Sequence, residues 1–412
     1  MNLLVVGNGF DLAHGLPTRY SDFLDFMTLC IREWHDWRKW RIPWNDEPNP
    51  YKYYDLILTD IYDNISSNIQ VSGLFSAYKE KIENLILNNE KLKSFHENIF
   101  LRYCLYSYAY NQTFSNDFKW IDIENEMLNF LNNLQKCEYH STDLSHISFN
   151  LPYRERSGTT STKPFYMPTV QKKLKGMNVP HNRIKATVFR CLFNELKEFS
   201  NLLKIYLKLT TEEFNKKHQC VYQINMHSPN SISIDHILSF NYTDFSQRYY
   251  APNVDINFIN GSLSDENIIL GVENASIEHT GEYCDNNVSL FFKNYQRVLY
   301  DYQYVYNGWL HEKTIEDHAK KTSSNEAYDV ETNVYIVGHS LSISDKYILT
   351  DVIMNADYVT IYYFCEQDKQ DKILNLYKLL GDEVFSTHVN HTCAKPSIRF
   401  ANQKEILMPS NE

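Results

Sequence analysis

MNLLVVGNGFDLAHGLP, residues 1–17, organises the rest of the chain. Leu3–Val6 is a short apolar, β-branched run that reads as a buried strand, and Gly7-Asn8-Gly9 stops it abruptly. Glycines where a strand turns into a helix let backbone N–H groups approach a phosphate closely. The helix N-terminus that follows adds partial positive charge. A strand placed this early is expected at the centre of a sheet, with its carboxyl end carrying the site. A G-x-G-x-x-G dinucleotide fingerprint needs a third glycine at position 12, where this chain has Leu12. Its next glycine is Gly15, followed by Leu16 and Pro17.

With 412 residues, 43% of them hydrophobic, the chain can bury one large core or two smaller ones. A net charge of −11 excludes a protein whose whole surface serves nucleic acid. No basic n-region is present, Leu3–Val6 is too short for a signal core, and no apolar stretch approaches the ~20 residues that span a bilayer. The expectation is a cytoplasmic protein without membrane contact. The 8 cysteines are scattered, with no C-x-x-C pair and no cluster with histidine, which reads as free thiols in a reducing compartment and no metal site.

Tyr20, Phe23, Leu24 and Met27 share one helical face, and Trp34, Trp37 and Trp40 follow at spacing three, a core-packing pattern. From Tyr51 to about Leu134 the periodicity stays helical. Within it, WIDIENEML (120–128) sets Asp122, Glu124 and Glu126 where a helix begins. Acids in a first turn favour the macrodipole; alternatively, Asp122 or Glu124 faces a nucleotide cleft. Residues 138–181 read as a long irregular segment. From Leu151 to Lys185 the chain carries eight Lys or Arg (Arg154, Arg156, Lys163, Lys172, Lys173, Lys175, Arg183, Lys185) against one acid, Glu155. That sign, opposite to the chain's, suits an anionic partner such as nucleic acid, or a solvated loop. A helix resumes from Asn182 to about Leu209.

From His236 the character changes. HILSFNY, INFING, IILGV, VYIVGHSL and YVTIYYF are short apolar runs bounded by Asn or Gly, as buried parallel strands are. Helical patterns separate or follow the later ones: IEDHAKK, SDKYILTDVIMN and QDKILNLYKLLG. The fold class is therefore α/β, a doubly wound, mostly parallel sheet of Rossmann-like type with a large helical insertion after the first strand. Residues 1–20 and 232–412 form the nucleotide-binding α/β domain, and 21–231 the insertion. Ligands in such sheets collect outside the carboxyl ends of the strands. Those ends are Asn8 and Asp11, then Asn241, then Asn260-Gly261-Ser262, then Gly338-His339-Ser340. Each alone is compatible with an ordinary turn.

Five stretches together resemble the AbiH family of bacterial phage abortive-infection proteins: LLVVGNGFDLAHGLPTRYSDFL, WIDIENEML, ILSFNYTDF, FINGSLSDENIILGV and VYIVGHSLSISDKYIL. That family is distantly similar to sirtuin-like domains, several of which degrade NAD in phage defence. The G-x-G, five residues, G-L-P order resembles the sirtuin nucleotide loop. The resemblance implies that Gly7, Asn8, Gly9, Phe10, Gly15 and Pro17 hold the pyrophosphate. Asn241 resembles the strand-end asparagine that contacts the nicotinamide ribose. Asn260 and Gly261 add to the binding set, and Gly338 and Ser340 resemble the turn holding the far ribose and phosphates. His339, within that turn, is a candidate acid, base or ribose contact.

Three positions depart from that pattern. Asp11 takes the place of a loop serine. Thr243 takes that of a strand-end aspartate, with Asp244 one residue later. Asn260 stands where a catalytic histidine precedes glycine, and asparagine accepts no proton near neutral pH. The resemblance implies an effector that binds NAD as substrate or ligand and splits its nicotinamide–ribose bond. In that role Asn241 orients ribose or water, and Asp11 or Asp244 stabilises the cation. The alternatives are a non-catalytic nucleotide-binding sensor or scaffold, and a nuclease holding Mg²⁺ with Asp122, Glu124 and Asp11. Implied partners are a nucleotide, a phage-derived trigger, a second defence protein or nucleic acid at the basic loop, and a second copy of the chain.

Overall fold

The structure is a computed structural model. It describes residues 1–34, 68–112, 122–137, 148–154, 160–167, 170, 180, 183–217, 233–272, 287–302, 304–310, 331–390 and 395–403. The tryptophans at 37 and 40, the helical pattern of 51–66 and IEDHAKK lie outside these residues. The described chain falls into two compact units. The first comprises Met1–Leu16, Thr211–Ile268 and Arg297–Glu412; the second comprises Pro17–Thr210 and Ile269–Gln296.

The first unit is built on six strands: β1 (Asn2–Val6), β4 (His236–Ser239), β5 (Asp255–Phe258), β6 (Asn333–Val337), β7 (Tyr358–Tyr363) and β8 (Ser397–Asn402). Their order is β5-β4-β1-β6-β7-β8, and every pairing is parallel. Counted by appearance in the sheet this is 3-2-1-4-5-6, the doubly wound order, with its switch point between β1 and β6. Leu3 pairs with His236 on one side and Val334 on the other, so β1 is central as its unbroken apolar run predicts.

Alternate residues feed two cores, one on each face. Leu3 and Val5 join Leu238, Val334, Ile336, Val359 and Ile361 beneath α9 (Lys346–Met354) and α10 (Glu366–Leu380), which supply Leu349, Val352, Leu376 and Leu379. Leu4 and Val6 join Ile237 and Val337 under α1 (Asn8–Ala13), α7 (Phe245–Tyr250) and the end of α6 (Ile184–Lys217), which add Phe10, Phe245, Tyr249 and Phe214.

The second unit holds α2 (Tyr20–Trp34), α3 (Ile69–Ile86), α4 (Ile99–Gln112), α5 (Ile123–Gln135) and α6 up to Thr210. Its core is aromatic: Phe100 packs on Phe130, Phe199 and Phe291, and Phe291 also meets Phe189 and Phe193. Asp122 is the N-cap of α5, accepting from the Glu124 and Asn125 N–H groups. The capping role of the acids in WIDIENEML is therefore the one the structure shows for Asp122.

Two local expectations are corrected. Residues 138–181 are not irregular throughout: β2 (Ser148–Arg154) and β3 (Thr160–Tyr166) form an antiparallel hairpin. Both strands of a two-stranded ribbon are edges, so Pro152 and Pro164 are tolerated there. IILGV is not a sheet strand. Its Val272 makes only an isolated bridge to Phe292, and Ile269–Gln296 belongs to the second unit, where Phe291 is anchored. SIRFAN, which has no continuous apolar run, is the edge strand β8.

Candidate functional site

At the switch point the turn after β1 mates with the turn after β6. The Gly7 N–H donates to Val337 O (3.1 Å), and the Gly9 N–H donates to Gly338 O (2.8 Å). A Cβ on Gly7 would lie 2.7 Å from His339 Cα, and one on Gly338, whose φ is +68°, would lie 2.0 Å from Phe10 N. Glycine is required here because two backbones touch. The Gly9 N–H that the sequence reading aims at a phosphate is thus spent on the neighbouring strand. Asn8 and Ser340 are exposed on either side of the contact.

Asn241 stands just past the end of β4. Its Nδ2 donates to Gly7 O (3.0 Å) and to Asp11 Oδ1 (3.0 Å), and its backbone N–H to Ser239 Oγ (3.2 Å). Both amide hydrogens are therefore used, and no described residue donates to Oδ1. Asn241 retains 7% exposure, against 1% for Asp11. Thr243 Oγ1 donates to the other Asp11 oxygen (2.5 Å). Burial pushes the Asp11 carboxyl up to about 7, against the downward pull of the Thr243 and Asn241 bonds; the charge of Asp244 adds a smaller push. Asp11 therefore sits behind Asn241, with its two oxygens taken by Asn241 and Thr243.

The other predicted residues lie apart from this network. Asp244 stands at the start of α7, where its side chain makes no capping hydrogen bond and pairs instead with Arg248 (2.7 Å). Phe10 is fully buried, packed on Phe245 and Tyr250. Gly15 is exposed, and Pro17 belongs to the second unit, where its carbonyl accepts the Tyr206 hydroxyl (2.6 Å).

Asn260 and His339 belong to a buried polar chain. Asn260 Nδ2 donates to Phe240 O (3.2 Å) and its Oδ1 accepts from Arg297 Nη2 (3.0 Å). Arg297, on α8 (Lys293–Leu299), also donates to Ile259 O (3.2 Å) and lies 3.9 Å from Asp345. His339 Nδ1 accepts the Leu341 N–H (2.9 Å), so its proton sits on Nε2, 3.6 Å from Asp345 Oδ2. With Nδ1 bonded, Nε2 facing Asp345 and 4% exposure, His339 braces the turn. Gly261, with φ +78°, packs under Tyr302. Arg297 and Asp345 carry no signal in the sequence. Neither ends an apolar run, and no spacing marks them as partners of a strand end.

At the C-cap of α1, His14 Nδ1 donates to Phe10 O (2.7 Å) and Nε2 accepts from the Tyr250 hydroxyl. Burial lowers its basicity more than the Phe10 bond raises it. In the second unit Glu124 pairs with the buried Lys293 (2.8 Å). No group of three His, Cys, Asp or Glu able to hold a metal occurs among the described residues, and none of their helices is long and apolar enough to cross a membrane.

Sheet order and strand-end chemistry together define a doubly wound α/β protein whose polar residues gather at the carboxyl edge. Residues 3–365 match the family described as Bacteriophage abortive infection AbiH, and the chain belongs to that family. Family membership places it among phage abortive-infection proteins. No curated protein and no solved structure matches the chain.

Proposed function

We propose that this chain is an abortive-infection effector that binds NAD or a related nucleotide at the carboxyl edge beside β1 and β6 and cleaves the nicotinamide–ribose bond. The observation that supports this reading best is Asn241: its amide nitrogen is held by Gly7 and Asp11, and its oxygen is left over beside the switch point. In the reaction the C1′–N bond breaks with its electron pair leaving on nicotinamide. Positive charge develops on the ribose, and water adds at C1′ and loses its proton to solvent. Nicotinamide leaves as a neutral molecule, so a strong base is dispensable. Asn241 Oδ1 is suited to accept from a ribose hydroxyl or from the attacking water. Asp11 is withdrawn from direct contact with the cation by its burial.

Incubating the protein with NAD and separating the products by chromatography tests the reading. Release of nicotinamide that is lost in Asn241→Ala is expected; intact NAD under conditions where expression arrests growth refutes cleavage. A second reading, a nucleotide-binding sensor without catalysis, is favoured by the bonded Gly9 N–H and by His339, whose Nδ1 is bonded and whose Nε2 faces Asp345. In that case NAD binds without turnover. The nuclease reading loses support because Asp122 caps α5, Glu124 pairs with Lys293 and Asp11 serves Asn241 and Thr243.

A further inference from the structure

We propose that Asp11 is the positioning residue for Asn241, turning its carboxamide so that Oδ1 rather than Nδ2 faces a ligand. This role rests on the reading of Asn241 as the ligand-facing group. A carboxamide has two orientations of nearly identical shape, so its neighbours must choose between acceptor out and donor out. Here both neighbours, the Gly7 carbonyl and the Asp11 carboxylate, accept hydrogen bonds. Flipping the amide would set its oxygen against two acceptors in a buried site, losing two bonds and adding repulsion. Thr243 in turn donates to Asp11 Oδ2, holding the carboxylate square to Asn241.

The carboxylate at position 11 and the hydroxyl at position 243 come from distant parts of the chain and bond to each other. The hold is strongest when Asp11 is ionised, and burial keeps it partly protonated near neutral pH. The charged or titratable groups about it are Asp244, paired with Arg248, and His14 at the C-cap of its helix, bonded to Tyr250.

The experiment is a pH titration of the intact protein labelled with ¹⁵N-asparagine, following the Asn241 side-chain amide, which is assigned by its loss in Asn241→Ala. The expected result is a single step in an Nδ2 proton shift that is absent in Asp11→Asn and moves to higher pH in Thr243→Val. With NAD as probe, Asp11→Ala should lower kcat for nicotinamide release by about tenfold while KM changes much less. An Asn241 amide that shows no step, or the same step in Asp11→Asn, overturns the proposal. If the step is present but the wild-type protein releases no nicotinamide, the positioning stands and the NAD reading falls. Should Asp11→Ala fail to fold, the wild-type and Asp11→Asn titrations decide alone.

Discussion

Replacing Asp11 by asparagine should make the protein more stable at pH 8, not less. The carboxyl rises from 3.8 to about 7 on folding, mainly through burial. A shift of about 3 units corresponds to about 4 kcal/mol. Because the folded state binds the proton more tightly than the unfolded one, this contribution is fully present below pH 3.8 and is lost as pH rises toward 7. Asparagine is isosteric and never ionises. Its oxygen can accept from Asn241, and its amide can donate to a rotated Thr243 hydroxyl, so the network stays satisfied. Urea unfolding of the two proteins in parallel from pH 4 to 8 cancels the titration of every other group. The variant should start close to the wild type and end ahead by as much as about 4 kcal/mol. A difference that stays flat across this range, or a variant that is weaker at pH 8, refutes the assignment of Asp11 as a buried carboxyl held at a cost to stability.

Three further outcomes follow from the geometry. Gly338→Ala places a methyl 2.0 Å from Phe10 N at a φ of +68°, and should cost more than about 3 kcal/mol or abolish soluble expression, as thermal unfolding would show. His339→Asn keeps an acceptor for the Leu341 N–H, whereas His339→Leu removes it; the leucine variant should be weaker than the asparagine variant by about 1–3 kcal/mol in urea. Lys293 is 1% exposed against Glu124, so Lys293→Met alone should destabilise by about 3 kcal/mol, and adding Glu124→Gln should recover part of the loss in a double-mutant cycle.

The parallel sheet was legible because each of its inner strands is a run of apolar residues with a hard stop: Leu3–Val6 at Gly7, and Val334–Val337 at Gly338. Edge strand β8 carries no such run because SIRFAN is half polar, with Arg399 bonding across to Thr360 on β7. The hairpin β2–β3 was hidden by its two prolines, which ordinarily argue against a strand. Strand ends pointed to Asn241, Asn260 and Gly338, and these residues do mark the polar edge. The partners that restrain them were invisible. Arg297 reaches Asn260 from a helix 37 residues later, and Asp345 meets His339 across a turn, contacts that only folding reveals. The sequence patterns also could not show that the paired glycines serve each other's backbone, since a phosphate cradle and a close crossing of turns use the same residue type.

The position of β1 has a consequence for synthesis. Its first partner, β4, lies 233 residues further on, as the Asn2–Asp235 contact measures, and its second, through Asn333, lies 331 residues further on. At about 5–20 residues per second the ribosome leaves this strand unpaired for on the order of 10–50 s before its first neighbour is made. Truncated chains thus leave β1 without its parallel partners, an unpaired strand that chaperones must shield or proteases remove.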